Sequence, residues 1–181
     1  MRTAVRSATL IAFSVACGYA KPILFPVLFF VELFSVAVFL SGVIVGVGWG
    51  MWVGAAARLI FSVANPYGPL HPWVLAAQVV GAALLGAMGG LARRALTGSW
   101  LQSAPARAAF LGACGFLGTA AYDLITNLAQ GIVFGSVRAA LALGVLPSLQ
   151  HIASNTAIFV IIGGLATSWL RRDPRLLSRA A

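Results

Sequence analysis

Apolar residues run through this chain in long blocks, separated by short clusters of proline, glycine and arginine. The blocks cover residues 4–20, 23–40, 43–62, 73–91, 108–135 and 147–170. About 20 apolar residues cross a bilayer as helix. The pattern therefore predicts an all-α membrane protein, a six-transmembrane-helix bundle forming one integral-membrane domain over residues 1–181. Each break has a local cause. Lys21-Pro22 stops the first helix, and Ser41-Gly42 allows a tight turn after the second. Asn65-Pro66-Tyr67-Gly68-Pro69-Leu70-His71-Pro72-Trp73 is a stiff, proline-dense loop. Arg93-Arg94 closes the fourth block, Pro147 precedes the sixth, and Arg171-Arg172-Asp173-Pro174-Arg175 ends it.

Small residues recur within these blocks at helical spacing. Ala4, Ala8, Ala12, Ala16 and Ala20 form one row, and Gly42, Gly46, Gly50 and Gly54 form another that leads to Arg58. Gln78, Ala82, Gly86 and Gly90 share a stripe of the fourth helix. Such rows let helix backbones approach closely in lipid. The alanine row suits either packing inside the bundle or docking to a partner. The charged start at Arg2 and Arg6 with the apolar run behind it also has the form of a signal peptide. Ser14-Val15-Ala16-Cys17 lacks the leucine that opens a lipobox.

The chain is 61% hydrophobic and 8% charged, with a mean hydropathy of +0.98, where soluble domains carry about a quarter charged residues. A net charge of +9 would suit nucleic acid, but the charges sit at block ends, where they set membrane orientation. Arg2, Arg6, Arg93, Arg94, Arg107, Arg171, Arg172, Arg175 and Arg179 share one side of a six-span topology, and Lys21 and Arg138 the other. Both termini are thereby predicted cytoplasmic, with no nucleic-acid partner. Cys17 and Cys114 lie in apolar blocks far from any metal-binding spacing.

The residues that break the apolar pattern from within carry the candidate chemistry. Only three residues are acidic, and Asp123 lies deep in the fifth block, where a carboxylate marks a functional site by default. Asp123, Asn127 and Gln130 are spaced to share a helix face, flanked by Thr119 and Thr126. Ser148, His151 and Asn155 share a face near the start of the sixth span, with His151 close to the mouth and Gln78 entering from the same side. Asn127 and Asp123 lie roughly 12 and 18 Å below Gly135 at the helical rise. This predicts a pocket open to the outside with the Tyr67 loop above it and no matching polar run on the cytoplasmic half. Glu32 and Arg58 read as an internal ion pair or as snorkelling charges with a mainly structural role. His71 and His151 are too few for a metal cluster, and no catalytic set is evident.

These residues resemble the substrate-binding S components of energy-coupling factor (ECF) vitamin transporters. The resemblance rests on six spans in about 180 residues, the alanine row and the glycine-rich turn between spans two and three. It rests also on Asn65-Pro66-Tyr67-Gly68-Pro69, Ala77-Gln78-Val79-Val80-Gly81 and Tyr122-Asp123-Leu124-Ile125-Thr126-Asn127. It implies a small subunit, not itself an enzyme, that captures a vitamin or cofactor precursor and delivers it with a T component and two cytoplasmic ATPases. Ala8, Ala12 and Ala16 would then be the docking surface for the T component. No phosphate-binding loop occurs, so ATP would be used by partner subunits, with no cofactor in this chain. The family's nickel and cobalt branch has histidine at position 2, where this chain has Arg2, which favours an organic solute. Asn65, Tyr67, His71, Gln78, Asp123, Asn127, Gln130, His151 and Asn155 are the candidate substrate-binding residues. Two other classes compete: a stand-alone proton-coupled carrier, and an intramembrane lipid or isoprenoid enzyme using Asp123 and His151 as acid and base.

Overall fold

The computed structural model describes residues 2–24, 32–63, 68 and 70–172. Asn65 and Tyr67 lie outside the described residues, as does the tail beyond Arg172. The described chain is all-α, with α1 Arg2–Leu24, α2 Leu33–Val45, α3 Val47–Val63, α4 Pro72–Thr97, α5 Ala104–Val133 and α6 Val137–Arg172. Among these, α1, α4, α5 and α6 are long and apolar enough to cross a membrane, while α2 and α3 are apolar but shorter. That set is compatible with a multi-pass membrane protein.

Helix starts follow their capping residues. His71 Nδ1 accepts from the Trp73 N–H, Ser103 Oγ from Ala106 and Ser136 Oγ from Ala139, and prolines occupy the first turn of α4 and α5, where their missing N–H costs nothing. Helix α4 runs past Arg93-Arg94 to Thr97, and three further boundaries differ from the sequence expectation. First, α1 runs past Pro22 to Leu24; so near a helix end, proline removes only one intrahelical bond. Second, the chain stays helical through Ser41-Gly42, with Ser41 Oγ donating to the Ala37 carbonyl at 2.8 Å. The turn between α2 and α3 comes at Gly46, whose φ of +86° suits glycine alone. Third, α6 starts at Val137 rather than after Pro147, because Gly135 at φ +77° turns the chain straight out of α5. Pro147 lies inside the helix.

Helix α4 sits between α3, α2 and α5, while α1 packs on α2 and α3, and α6 on α5. The seam between α3 and α4 is an antiparallel zipper of small residues. A Cβ added at Gly54 would strike the Ala82 carbonyl, one at Gly86 the Gly50 carbonyl, and one at Gly90 the backbone of Val47. The polar pair Arg58–Gln78 continues the same register one turn further on. Gly89 likewise lies against the Phe39 carbonyl of α2. In a membrane, where apolar burial gives little drive to association, such close backbone contact is one of the main ways helices hold together.

Two apolar clusters fill the interior. One joins Val36, Phe39, Val43, Ala92, Leu96, Leu111 and Phe159, with Phe39 and Phe159 tilted ring on ring at 5.1 Å. The other joins Phe34, Val38, Ala57, Ala82 and Leu85. Short α2 feeds both, and every residue from Phe34 to Phe39 is buried, as expected of a helix apolar all round. Beyond its first cluster contact, α6 passes through a π-helical turn at Phe159–Gly163. Gly115 of α5 makes room for Phe159 there.

Two arginines at one end of the bundle have structural work beyond orientation. Arg107 donates to the Leu101 and Gln102 carbonyls, at 3.1 and 2.6 Å, and Arg171 donates to Leu101 at 2.8 Å. They tie the 98–103 connection to α5 and α6, satisfying carbonyls beyond the C-terminus of α4.

Candidate functional site

The alternation of helix directions brings the start of α2, the end of α3, the start of α4 and the middle of α5 and α6 together, at the end of the bundle away from Arg93 and Arg171. The polar groups of the interior gather at this level. At their centre is His151. Its Nδ1 lies 2.9 Å from Asp123 Oδ1 and its Nε2 lies 2.8 Å from Glu32 Oε2. The side chains of His151, Glu32 and Asp123 are 19%, 18% and 13% exposed. A neutral imidazole has one N–H, so serving a carboxylate at each nitrogen requires one further proton shared among the three groups. Glu32 also precedes the first turn of α2, where the positive end of the helix dipole favours a carboxylate.

Asn155 lies one turn below His151 and is fully buried. Its Nδ2 is 3.0 Å from His151 Nε2 and donates to Thr119 Oγ1 at 3.1 Å. Thr126 returns its hydroxyl to the Tyr122 and Asp123 carbonyls of its own helix. Asp123 Oδ2, Tyr122 Oη, Asn155 Oδ1 and Thr156 Oγ1 are buried without a hydrogen-bond partner among the described residues. Ser7 and Ser14 of α1 and Ser62 of α3 are likewise without a partner among the described residues. Orphaned buried polar atoms are rare in native interiors, and Asp123 and Asn155 are the two of the set that also touch His151.

Beside this array stands Arg58. Its Nε and Nη2 donate to Gln78 Oε1 at 3.1 and 2.7 Å, and its guanidinium carbon lies 5.6, 5.4 and 5.6 Å from the ring centroids of Phe34, Phe61 and Tyr122. Three aromatic faces and one amide oxygen that accepts twice hold a cation that forms no ion pair among the described residues. Of the two readings left open for these charges, an internal Glu32–Arg58 pair is not formed: Glu32 joins His151, and Arg58 joins Gln78. Glu32 stands at the start of its helix rather than halfway along a span.

The polar stripe of α5 divides. Asp123 turns to His151, whereas Asn127 donates from Nδ2 to Ser148 Oγ at 3.2 Å. Gly144 is what admits it, since a Cβ there would meet the Asn127 amide. Asn127 and Gln130 line a groove of about 490 Å³ along the α5–α6 hairpin, with Ser136 and Pro147 opposite. Asp123, Asn127 and Ser148 line an adjoining one of about 230 Å³. Gln78 and Asn155 border neither. His71 is exposed at the cap of α4 and joins no part of the array. His151 is level with Asp123 instead of near the mouth, because α6 begins ten residues earlier than its proline suggested. Although Glu32, His151 and Asp123 meet, the carboxylates sit on opposite ring nitrogens, and no three such side chains are placed to hold a metal ion among the described residues.

On α1, Ala4, Ala8, Ala12 and Ala16 are all exposed, while Ser7, Ser14 and Gly18 face inward. The alanine row therefore does not pack inside its own bundle.

Sequence reasoning assigned Glu32 a structural part and missed it as a partner of His151. With three acids and two histidines in the whole chain, the pairing of a deep histidine with the acids inside the apolar blocks was the available signal. No family model matches the chain, and neither a curated protein nor a solved structure does so.

Proposed function

We propose that this chain is the solute-capture subunit of an ECF-type importer. It binds a vitamin-like organic solute from outside the cell and delivers it with a T component and two ATP-hydrolysing subunits. In this reading six segments span the membrane and both termini are cytoplasmic. The observation that carries it is the placement of Glu32, Arg58, Gln78, Asp123, His151 and Asn155 at one level, near one end of an otherwise apolar bundle. A binding chamber needs directed polar groups among apolar and aromatic walls, and a continuous pore would need them through both halves. The outward face of Ala8, Ala12 and Ala16 supports docking of a partner helix, for which small residues are suited.

One observation favours a second reading. A histidine held between two carboxylates and sharing one proton with them is also the kind of group that relays protons in membrane carriers. It argues less well for an enzyme, since both ring nitrogens already face carboxylates and neither is left to act on a substrate. Reconstitution separates the first two. With the purified chain alone in liposomes, a pH gradient should drive no solute uptake; adding the T component and ATPases with ATP should start it. Uptake by the chain alone under a pH gradient would establish the carrier instead.

A further inference from the structure

Another concavity lies outside the polar level, on the flank of α1 away from the alanine row. It measures about 300 Å³ and is walled by α1, α2 and the last turns of α6, with Leu10, Phe13, Cys17, Leu40, Ile44 and Trp169 among its lining residues. Its surface is almost wholly apolar. The one hydroxyl on its wall, Ser41, is spent on the Ala37 carbonyl of its own helix. On α2 the wall extends from Leu33 to Ile44, roughly 16 Å at the helical rise. Trp169 and Phe13 are 62% and 56% exposed at its edge.

The basic end of this groove is not apolar. Arg6 lies on the same stripe of α1 as Leu10, Phe13 and Cys17, at spacings of four, seven and eleven residues. Arg172 lies one turn beyond Trp169 at the end of α6. Neighbouring Arg171 is engaged by the Leu96 and Leu101 carbonyls. Arg6 and Arg172 have no hydrogen bond or ion pair among the described residues. An apolar trough about as long as part of an acyl chain thus leads to two guanidinium groups that are unpaired among the described residues, with Trp169 on its wall. A guanidinium favours the planar, bidentate recognition of phosphate.

We infer that this groove binds an anionic phospholipid, with an acyl chain in the trough and the headgroup phosphate on Arg6 and Arg172. The inference needs the chain to lie in a membrane but is independent of what solute it carries. A zwitterionic lipid offers the same chain and a phosphate, but its own ammonium offsets the charge that the two arginines seek.

Trp169 supplies the readout. The full chain is reconstituted into vesicles of phosphatidylcholine or phosphatidylglycerol carrying brominated acyl chains, and tryptophan quenching is measured against Trp169→Phe to isolate one of the five tryptophans. The Trp169 component should be quenched preferentially by the brominated phosphatidylglycerol in mixed vesicles. The preference should fall about five-fold for each arginine removed in Arg6→Gln and Arg172→Gln, the usual worth of a basic residue near an anionic surface. It should weaken in high salt, and Ala166→Leu, which fills the trough, should reduce quenching without touching the charge. Both arginine sites are at helix ends, and circular dichroism of each variant checks that the helices are retained. Equal quenching by both lipids, or a preference unchanged in Arg6→Gln/Arg172→Gln, would overturn the inference. So would protection of Trp169 from both lipids together with a dimeric mass, which would place a second copy on the groove.

Discussion

Replacing His151 by glutamine removes the group that stands between two carboxylates. The imidazole meets Glu32 at 2.8 Å and Asp123 at 2.9 Å, with all three side chains less than a fifth exposed. Breaking a buried ion pair from one side costs about 3–5 kcal/mol, because the remaining charge is left uncompensated. The partial exposure places this case near the lower figure. For a chain of this size, about 3 kcal/mol lowers the unfolding midpoint by roughly 6–12 °C. Thermal unfolding in detergent, followed by circular dichroism, gives the measurement. The sharper form is a cycle with Asp123→Asn. If the array is one unit, the second substitution removes the orphaned carboxylate and restores part of the loss, so the two effects differ from their sum by at least about 1 kcal/mol. A midpoint shift below 1 °C for His151→Gln, or strict additivity with Asp123→Asn, would refute the claim that these groups form one charge-sharing array.

Three other substitutions probe the frame around it. Gly86→Ala would press a methyl on the Gly50 carbonyl and should destabilise by about 3 kcal/mol, the upper end for overpacking; Gly48→Ala, with open space around it, should be neutral or stabilising, and equal effects in a melting comparison would deny the zipper. Arg58→Lys keeps the charge but loses the fork on Gln78 and the flat contact with three rings, so a loss of about 1–2 kcal/mol in the same assay is expected, whereas no loss would mean that charge alone matters there. Ala12→Trp changes an outward position and should leave stability within about 0.5 kcal/mol while abolishing uptake by the proposed importer; uptake at the normal rate would remove the alanine row from the proposed docking surface.

Much of the frame was legible because helix packing in lipid writes itself as spacing. The stripe Gln78, Ala82, Gly86 and Gly90 is the face that meets α3, and Gly50 and Gly54 are its counterparts. The boundaries were less legible. Pro22 reads as a stop and Pro147 as a start, yet one lies at a helix end and the other in a helix long enough to absorb it. The turn at Gly46 rather than Ser41-Gly42 follows from which glycine reaches positive φ, and a row of equally spaced glycines does not say which one that is. The site was half legible. Asp123, His151 and Asn155 stood out as polar groups among apolar residues, and they meet. That Asn127 faces Ser148 instead depends on Gly144, on the opposite helix, whose register spacing within α5 could not supply. The exchange of partners between Glu32 and Arg58 had the same origin, because a charge inside a bundle is assigned by the neighbouring helices, not by its own.

The most direct test of solute capture is to purify the protein from cells grown in rich medium and identify what small molecule comes with it by mass spectrometry. The proposed function predicts a single organic solute near one equivalent, retained by the unaltered chain and lost from Asp123→Ala, while a folded Asn127→Ala variant retains less of it. A chain that carries no solute, or a solute retained equally by the unaltered protein and both variants, would contradict a capture site on this polar level.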